Sequence, residues 1–331
     1  MIPDLTVVTG KLKLKNPILL ASGTAGYGSE ISQFIDLNKI GGIVTKSISL
    51  NPRAGNPPPR IAETPSGMLN AIGLANVGLE KFISEKLPYL EQYDTAVICN
   101  IAASSVEEYV ICTERLSSEK RVDAFEINIS CPNVKEGGLI FGNDLDKVRE
   151  VTERVRGATT KPVFIKLSPN VPNIADFAKA AVDAGADGVS AINTFVGAAI
   201  DINTRKPKLA NVTGGLSGPA IRPLAIAKVL EIKRKHPEIE IIGIGGISNW
   251  KDAVEFMIAG ASAVQLGTVN FVEPDSGERI LEGLEQYCAE KKIERIRELT
   301  GSFIIIPPKA GQVNYPDQSG PPPKRGQAGE L

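Results

Sequence analysis

Short apolar runs alternate with longer amphipathic segments along most of this chain. Eight of the runs predict β-strands, at 17–21, 42–46, 95–100, 123–128, 162–167, 187–192, 240–244 and 262–266. They mostly lack apolar–polar alternation, which is typical of parallel strands that are covered on both faces. Helical periodicity lies between most of them, for example at 144–156, 173–184, 219–235, 249–258 and 277–290. Eight β/α units in one chain predict an α/β fold of the closed (β/α)8 kind, a TIM barrel, rather than an open sheet.

Two long insertions interrupt this repeat, and a segment of biased composition ends the chain. Residues 50–77 are rich in Pro, Gly and Asn, and residues 195–218 contain many Gly, Lys and Asn residues. Insertions after barrel strands lie over the C-terminal mouth, so we expect both to cover a site there. Residues 306–331 have almost nothing apolar to bury and are expected to be a disordered tail. The expected organisation is one barrel domain at 1–305 followed by this tail.

Composition narrows the classes of function. With 37 Lys and Arg against 38 Asp and Glu, the chain has no long-range field for nucleic acid or an anionic membrane. No apolar run approaches the length of a membrane span, and the first residues do not resemble a signal peptide. The four cysteines show no C-x-x-C pairing, so we expect neither a metal site nor a disulfide framework, and a reducing cytoplasm fits best. His236 is the single histidine, so proton transfer must fall to a cysteine, a lysine or a carboxylate.

Polar residues and glycines follow the predicted strands where each strand ends. In chain order they are Ser22 and Gly23, Lys46 and Ser47, Asn100, Asn128 and Cys131, Lys166, Asn193 and Thr194, Gly245 and Gly246, and Gly267 and Thr268. Barrel active sites lie at the C-terminal ends of the strands, so these residues are expected to meet at one mouth. Lys46 and Lys166 stand in otherwise apolar strands and therefore need an anionic or electron-rich partner.

The loops after the last two strands together predict a phosphate site. Ile-Gly-Gly-Ile-Ser at 244–248 precedes a predicted helix, and Gly267-Thr268 follows the eighth strand. Backbone N–H groups and a helix N-terminus can hold a phosphate there without any lysine. Glycines also allow tight strand–helix turns, so either loop alone is a weak signal. The chain has neither G-x-G-x-x-G after a strand nor a Walker A sequence, which favours FMN or a phosphorylated substrate.

The segment at 128–138, Asn-Ile-Ser-Cys-Pro-Asn-Val-Lys-Glu-Gly-Gly, follows the fourth strand. Cys131 could act as a base, while Asn128 and Asn133 could bind a polar substrate. Gly137 and Gly138 would allow the loop to open and close. The alternative is a buried, inert cysteine in an ordinary strand–helix turn.

Seven segments together resemble the class 1 dihydroorotate dehydrogenases. They are Thr-Lys-Ser at 45–47, Asn-Ala-Ile-Gly-Leu at 70–74, Asn-Ile-Ser-Cys-Pro-Asn at 128–133, Ala-Ile-Asn-Thr at 191–194, Arg-Lys-Pro at 205–207, Gly-Gly-Leu-Ser-Gly-Pro at 214–219 and Gly-Ile-Gly-Gly-Ile at 243–247. The resemblance extends in order over about residues 3–300. The residues after Cys131 are most similar to subclass 1B, which passes electrons to NAD through a partner subunit. The fumarate-linked subclass 1A has a different loop there, and class 2 enzymes carry serine at the position of Cys131.

The resemblance implies oxidation of (S)-dihydroorotate to orotate in de novo pyrimidine (UMP) biosynthesis. Cys131 would take a proton from C5 while a hydride leaves C6 for N5 of FMN, and Lys166 would lie at the N1/C2 end of the flavin. The residues implied for substrate binding are Lys46, Asn70, Ala71, Ile72, Gly73, Leu74, Asn128, Asn133, Asn193 and Thr194. Those implied for FMN binding are Ser22, Lys46, Ser47, Asn100, Asn128, Lys166, Ile192, Gly218, Gly245, Gly246, Gly267 and Thr268.

A partner chain is also implied. This sequence has no second dinucleotide-binding pattern and no cysteine cluster, so FAD and a [2Fe–2S] centre would belong to a separate electron-transfer subunit. We expect a heterotetramer of two catalytic and two electron-transfer chains, with a homodimer contact between the catalytic chains. Three alternatives stay open: a flavin enzyme that acts on dihydrouracil or dihydrothymine, a fumarate-linked dihydroorotate dehydrogenase of subclass 1A, and a non-catalytic flavin- or phosphate-binding barrel. Lys46 and the loop around Asn70 discriminate, because among these substrates only orotate brings a carboxylate.

Overall fold

A closed barrel of eight parallel strands forms the centre of the protein. The computed structural model describes residues 2–129 and 141–305. Each barrel strand overlaps one of the eight strands predicted from the apolar runs, and the strands follow one another around the barrel in chain order. The fold class is therefore confirmed. Cys131, Asn133 and the expected tail at 306–331 lie outside the described residues.

The strands and helices of the described ranges are numbered here in chain order. The strands are β1 (Val7–Thr9), β2 (Leu12–Leu14), β3 (Ile18–Leu20), β4 (Gly42–Val44), β5 (Ile61–Thr64), β6 (Gly67–Asn70), β7 (Ala96–Ile101), β8 (Ala124–Asn128), β9 (Val163–Lys166), β10 (Gly188–Ala191), β11 (Phe195–Ala198), β12 (Ile200–Asp201), β13 (Lys206–Pro207), β14 (Thr213–Ser217), β15 (Ile241–Ile244) and β16 (Ala263–Leu266). The helices are α1 (Leu79–Lys81), α2 (Val106–Ser117), α3 (Leu145–Gly157), α4 (Ile174–Asp183), α5 (Arg222–Lys235), α6 (Trp250–Ala259), α7 (Val269–Val272) and α8 (Ser276–Lys291).

The barrel consists of β3, β4, β7, β8, β9, β10, β15 and β16, with β16 pairing back onto β3. Its strands are buried on both faces; all three residues of β3, for example, are 0 % exposed. Full burial of one aliphatic side chain contributes roughly 1.5–3 kcal/mol, so these strands and the helices packed on them hold most of the core energy. Burial on both faces also explains why the strands read as continuous apolar runs. The helices expected at 144–156, 173–184, 219–235, 249–258 and 277–290 correspond to α3, α4, α5, α6 and α8.

An antiparallel hairpin, β1–β2, covers the N-terminal end of the barrel. Gly10 turns this hairpin with a φ of 53°. A Cβ there would lie 2.6 Å from the carbonyl oxygen of Asp187, the residue just before β10. Lys11 also pairs with the Asp187 carboxylate at 3.0 Å. The N-terminal end is thus closed, which leaves the opposite end for a site.

The two insertions that the sequence places over the mouth pair with each other. β5 and β6 come from the first insertion and β11 and β14 from the second, and they form one antiparallel sheet in the order β11-β14-β6-β5. The sequence predicts only loops over the mouth, and the structure shows that they contain an antiparallel sheet. A further short hairpin, β12–β13, extends from the second insertion. Across the described residues, no helix is both long enough and apolar enough to cross a membrane.

Candidate active site

A cavity of about 500 Å³ opens at the C-terminal end of the barrel. Its walls are the loops after the barrel strands and the four-stranded sheet of the insertions. Of the predicted site residues, those that line it are Ser22, Lys46, Ser47, Asn70, Ala71, Ile72, Gly73, Leu74, Asn128, Lys166, Ile192, Asn193, Thr194, Gly218, Gly245, Gly246, Gly267 and Thr268. The expected convergence on one mouth is therefore present, although their individual roles stay predictions.

Asn100 is placed differently from the other predicted residues. It is 0 % exposed and is not among the residues that line the cavity. Its Oδ1 accepts a hydrogen bond from Ser47 Oγ at 2.6 Å, and its Nδ2 donates to Glu126 at 2.7 Å. Asn100 therefore supports the wall of the cavity from behind Ser47.

A buried polar cluster that includes Lys166 extends from the cavity wall into the barrel. Glu126 on β8 accepts hydrogen bonds from Asn100 Nδ2 and from Gln265 Nε2, the latter at 2.6 Å, and Lys166 Nζ lies 3.3 Å from its Oε1. The side chains of Lys166 and Glu126 are only 8 % and 1 % exposed. Burial by itself raises the pKa of Glu126, but the charge of Lys166 and the hydrogen bonds from Gln265, Ser190 and Asn100 outweigh it and hold that pKa below its usual value. The cluster is thus an ion pair whose anion is surrounded by hydrogen-bond donors.

Three of the predicted side-chain amides are presented to the cavity by different elements. Asn128 ends β8, Asn193 follows β10, and Asn70 ends β6 of the outer sheet. Asn193 Nδ2 lies 3.3 Å from Asn128 Oδ1, while the buried Tyr109 hydroxyl donates to the backbone carbonyl of Asn128 at 2.7 Å. Amides offer both donors and acceptors, which suits a planar heterocycle with mixed N–H and C=O groups.

Lys46 brings a second ammonium to the cavity. Its backbone N–H donates to the carbonyl of Gly26 at 2.8 Å, which fixes the start of the loop after β4. The residue is half-buried, and within the described residues its side chain forms no ion pair. It therefore presents a positive charge to the cavity that can meet an anionic ligand.

Glycines shape the part of the cavity where a phosphate is predicted. Gly218, Gly245 and Gly246 have φ values of 97°, 136° and 75°, which side-chain-bearing residues rarely adopt. A Cβ on Gly246 would lie 2.7 Å from the carbonyl oxygen of Gly218, so the loop after β15 packs directly on the residue after β14. Gly267 differs, because its added Cβ would meet only Ala21 Cβ, at 3.9 Å. Because Gly267 lines the cavity, that open space belongs to the cavity.

The N-terminus of α6 is already capped, which refines the predicted phosphate site. The N–H groups of Lys251 and Asp252 donate to Asn249 Oδ1, and those of Ser248 and Asn249 donate to Asp252 Oδ2. This capping box takes donors that a helix N-terminus would otherwise offer to an anion. A phosphate here would be held by the glycine peptides before the helix and by the loop after β16.

Sequence reasoning missed several residues of the cavity and its surroundings. Asn170 lines the cavity; its Nδ2 donates to the carbonyl of Thr194 at 3.0 Å and its Oδ1 accepts from Val196 N–H at 3.1 Å. It thereby ties the outer sheet to the loop after β9. A polar residue just after a predicted strand was the available signal. Glu126 and Gln265 gave no such signal, because each lies inside an apolar run.

The described residues contain no group of three or more His, Cys, Asp or Glu side chains placed to hold a metal ion. The three described cysteines, Cys99, Cys112 and Cys288, are buried and unpaired by disulfides. Burial raises the pKa of the Cys112 thiol to about 12. None of these three thiols is suited to act as a base.

Comparison with known proteins agrees with this geometry. The family model described as "Dihydroorotate dehydrogenase" matches residues 4–288. Proteins named "Dihydroorotate dehydrogenase B (NAD(+)), catalytic subunit" are similar to this chain: one from Geotalea uraniireducens is 52 % identical over 302 residues, or 91 % of this chain and 99 % of that protein. Another from Geotalea daltonii is 53 % identical over 303 residues, and one from Thermoanaerobacter pseudethanolicus is 52 % identical over 302, covering 92 % and 91 % of this chain and 99 % of each relative. The chain therefore belongs to the dihydroorotate dehydrogenase family.

Proposed function

We propose that this chain is the catalytic subunit of an NAD-linked dihydroorotate dehydrogenase, which oxidises (S)-dihydroorotate to orotate in pyrimidine biosynthesis. The observation that carries the proposal is the cavity at the barrel mouth, where two lysines and five asparagine side chains meet beside the glycine loops. Family membership and the names of relatives about 52 % identical support the same activity. A role as a non-catalytic scaffold has no comparable support.

The cavity fits FMN. A volume of about 500 Å³ lies within the roughly 300–1,000 Å³ of cofactor sites. The glycine peptides at 245–246 and the residues Gly267 and Thr268 form a cradle for a phosphate, in which Gly267 leaves open space that a side chain would fill. Lys166 supplies a buried positive charge that suits the N1/C2 end of a flavin, where negative charge collects on reduction. We propose that Ser22, Ser47 and Ile192 complete this site, with Asn100 behind Ser47.

The chain's own residues would bind and orient the substrate. Lys46, which forms no ion pair with the described residues, would pair with the carboxylate of dihydroorotate. Asn70, Asn128, Asn193 and Thr194, together with Asn133, would match the ring's N–H and C=O groups. Backbone groups of the segment at 71–74 would close the site from the outer sheet.

Proton removal from C5 is assigned to Cys131. This residue follows Asn128 by three positions in the chain. A thiolate there would take the C5 proton, since the sequence has one histidine and it lies at the far end of α5. When bound, the flavin supplies the acceptor for the hydride that leaves C6.

Electrons would then pass to NAD through a partner subunit that carries FAD and a [2Fe–2S] centre, in a heterotetramer located in the cytoplasm. The three described cysteines lie apart on β7, α2 and α8, so they form no cluster site. We also propose a contact between two catalytic chains, which would bury exposed apolar side chains such as Ile200 and Ile202 of the β12–β13 hairpin, 66 % and 86 % exposed. The fumarate-linked alternative differs in that it needs no such partner.

Anaerobic flavin reduction tests the proposal directly. Purified wild-type protein, loaded with FMN, is mixed with dihydroorotate or with dihydrouracil, and loss of flavin absorbance is followed by stopped flow. We expect rapid bleaching with dihydroorotate and little with dihydrouracil, because only the former has a carboxylate for Lys46. Faster bleaching by dihydrouracil than by dihydroorotate would indicate instead a flavin enzyme that acts on dihydrouracil or dihydrothymine. A flavin that neither substrate reduces would contradict a catalytic role.

A further inference from the structure

One buried carboxylate near the cavity has no part in the mechanism above. Glu126 lies on β8 two residues before Asn128, deeper in the barrel than the cavity wall. Its side chain is 1 % exposed, and its Oε1 lies 3.3 Å from the ammonium of Lys166. Lys166 in turn lines the cavity. The charge of Glu126 therefore acts on a ligand in the cavity through Lys166, which lies between the two.

The neighbours of Glu126 are arranged for an anion. Asn100 and Gln265 both turn their amide nitrogens toward it, at 2.7 Å and 2.6 Å. Gln265 does so although its own Oε1 is then buried without a hydrogen-bond partner among the described residues. Both amides therefore present donors to the carboxylate, as an anion requires, and the Ser190 hydroxyl also lies beside it. The pKa of Glu126 accordingly lies below its usual value, since Lys166 and these donors outweigh the effect of burial.

We propose that Glu126 is a positioning residue that holds the Lys166 ammonium at the cavity wall and offsets part of its charge, which keeps the midpoint potential of the bound flavin low. This inference rests on the proposed function, because it places a flavin beside Lys166. An isolated buried ammonium would stabilise reduced flavin strongly, since charges interact strongly in a poorly polarisable interior. A carboxylate 3.3 Å away weakens that field and also fixes where the ammonium points. Under the proposed function the flavin must transfer its electrons onward to NAD, and a high midpoint potential would hinder that transfer.

The test is the midpoint potential of FMN bound to Glu126→Gln, measured by dye-equilibrated anaerobic reduction. The substitution keeps the shape of the side chain and removes its charge. Its new N–H group can donate to Gln265 Oε1 once the Gln265 amide turns over, which gives that oxygen a partner that it lacks among the described residues of the wild-type protein. We expect the potential to rise so that reduced flavin is favoured at least tenfold more than in wild type, which is about 30 mV for a two-electron couple. An unchanged or lower potential would overturn the proposal.

Two comparisons separate this effect from a structural one. Glu126→Asp keeps the charge and should return the potential toward the wild-type value. Asp187→Asn removes a carboxylate of similar burial, 6 % exposed, that pairs with Lys11 and Arg156 at the opposite end of the barrel. It should destabilise the protein without moving the potential. An equal shift in Asp187→Asn and Glu126→Gln would mean that the charge near Lys166 has no special effect.

A second pair of variants applies if Glu126→Gln does not fold. The double variant Glu126→Gln with Lys166→Gln leaves no unpaired charge in the cluster, whereas Lys166→Gln alone leaves Glu126 without its counter-ion. We expect a higher potential in the double variant than in Lys166→Gln; equal potentials would contradict the proposal. Neither measurement uses dihydroorotate. If the midpoint potential shifts as expected but dihydroorotate fails to reduce the flavin, the proposed substrate is rejected and the role of Glu126 stands.

Discussion

The two lysines at strand ends lie in different electrostatic surroundings. Lys166 is 8 % exposed and already has Glu126 as its counter-ion, whereas Lys46 is half-buried and forms no ion pair with the described residues. A charge that is already compensated is suited to tuning a bound cofactor, because it adds little net attraction for an anion. An uncompensated charge is suited to capturing a carboxylate. The sequence predicts both residues for the cavity, but only the structure separates these settings.

The assignment of Cys131 as the base leads to a prediction about flavin reduction. Cys131→Ala should still bind FMN and be yellow, but dihydroorotate should reduce it at least a hundredfold more slowly, since a positioned base contributes about 10²–10⁴-fold. In wild type the reduction rate should rise as pH approaches the usual thiol pKa of about 8.5, because the thiolate is the reactive form. Stopped-flow absorbance under anaerobic conditions measures both effects.

The matched control for this prediction is Cys112→Ala. Cys112 is a buried cysteine of α2 whose pKa burial raises to about 12, so it supplies no thiolate in the working range. Its removal should leave flavin reduction unchanged. If Cys131→Ala were reduced as fast as this control, another group would have to be the base.

Residues inside strands were the hardest to predict as parts of the site. In the sequence, Glu126 and Gln265 are polar residues within apolar runs, and nothing nearby in the chain marks them as partners. They meet because β8 and β16 both direct these side chains into the barrel, 139 positions apart in the chain. The strand-end residues were easier, because the end of a parallel strand is recognisable and its position relative to the mouth follows from the fold.

At the scale of elements, predictability depended on what each segment buries. The eight barrel strands were predicted because they bury both faces and are apolar throughout. The outer sheet was missed because its strands are short and only partly buried, with the pattern of β5 alternating between exposed and half-buried residues. Its pairing also joins distant segments, as Leu216 of β14 lies beside Leu69 of β6. No local pattern in either segment specifies such a partner.

The glycine loops give a prediction that separates binding from folding. Gly267→Ala should weaken FMN binding about tenfold, or ~1.4 kcal/mol, because its methyl group would enter the cavity. The same methyl group meets no atom closer than 3.9 Å and requires no unusual φ, so the melting temperature of the flavin-free protein should be unchanged. Fluorescence titration with FMN and a thermal melt provide the two measurements.

Gly157→Ala is the control for that substitution, since a Cβ at the end of α3 would also meet nothing within 4 Å but lies away from the cavity. It should leave FMN affinity as in wild type. Equal affinity of Gly267→Ala and Gly157→Ala would show that the loop after β16 does not hold the cofactor.

At the scale of the whole molecule, the proposed function makes the barrel one half of a redox system. The N-terminal end is closed by the β1–β2 hairpin and the C-terminal end carries the cavity, so under the proposed function a partner that receives electrons would approach near that mouth. Among the described residues the cysteines are buried and separate, so they hold no iron–sulfur cluster. Under the proposed function, the chain would accept a hydride from its substrate and would need a second protein to complete turnover with NAD.

This division of labour predicts the behaviour of the isolated chain and of the assembled enzyme. Alone, the protein should be reduced by dihydroorotate yet reduce neither NAD nor fumarate at a useful rate. Co-expressed with the electron-transfer subunit of the same organism, it should elute from a size-exclusion column as one species with two copies of each chain, and contain FMN, FAD and iron. NAD reduction should appear only in that fraction, because the relay of FAD and [2Fe–2S] would lie in the partner. Separate elution of the two chains would contradict the proposed heterotetramer. Rapid fumarate reduction by the isolated chain would instead place it in the fumarate-linked subclass.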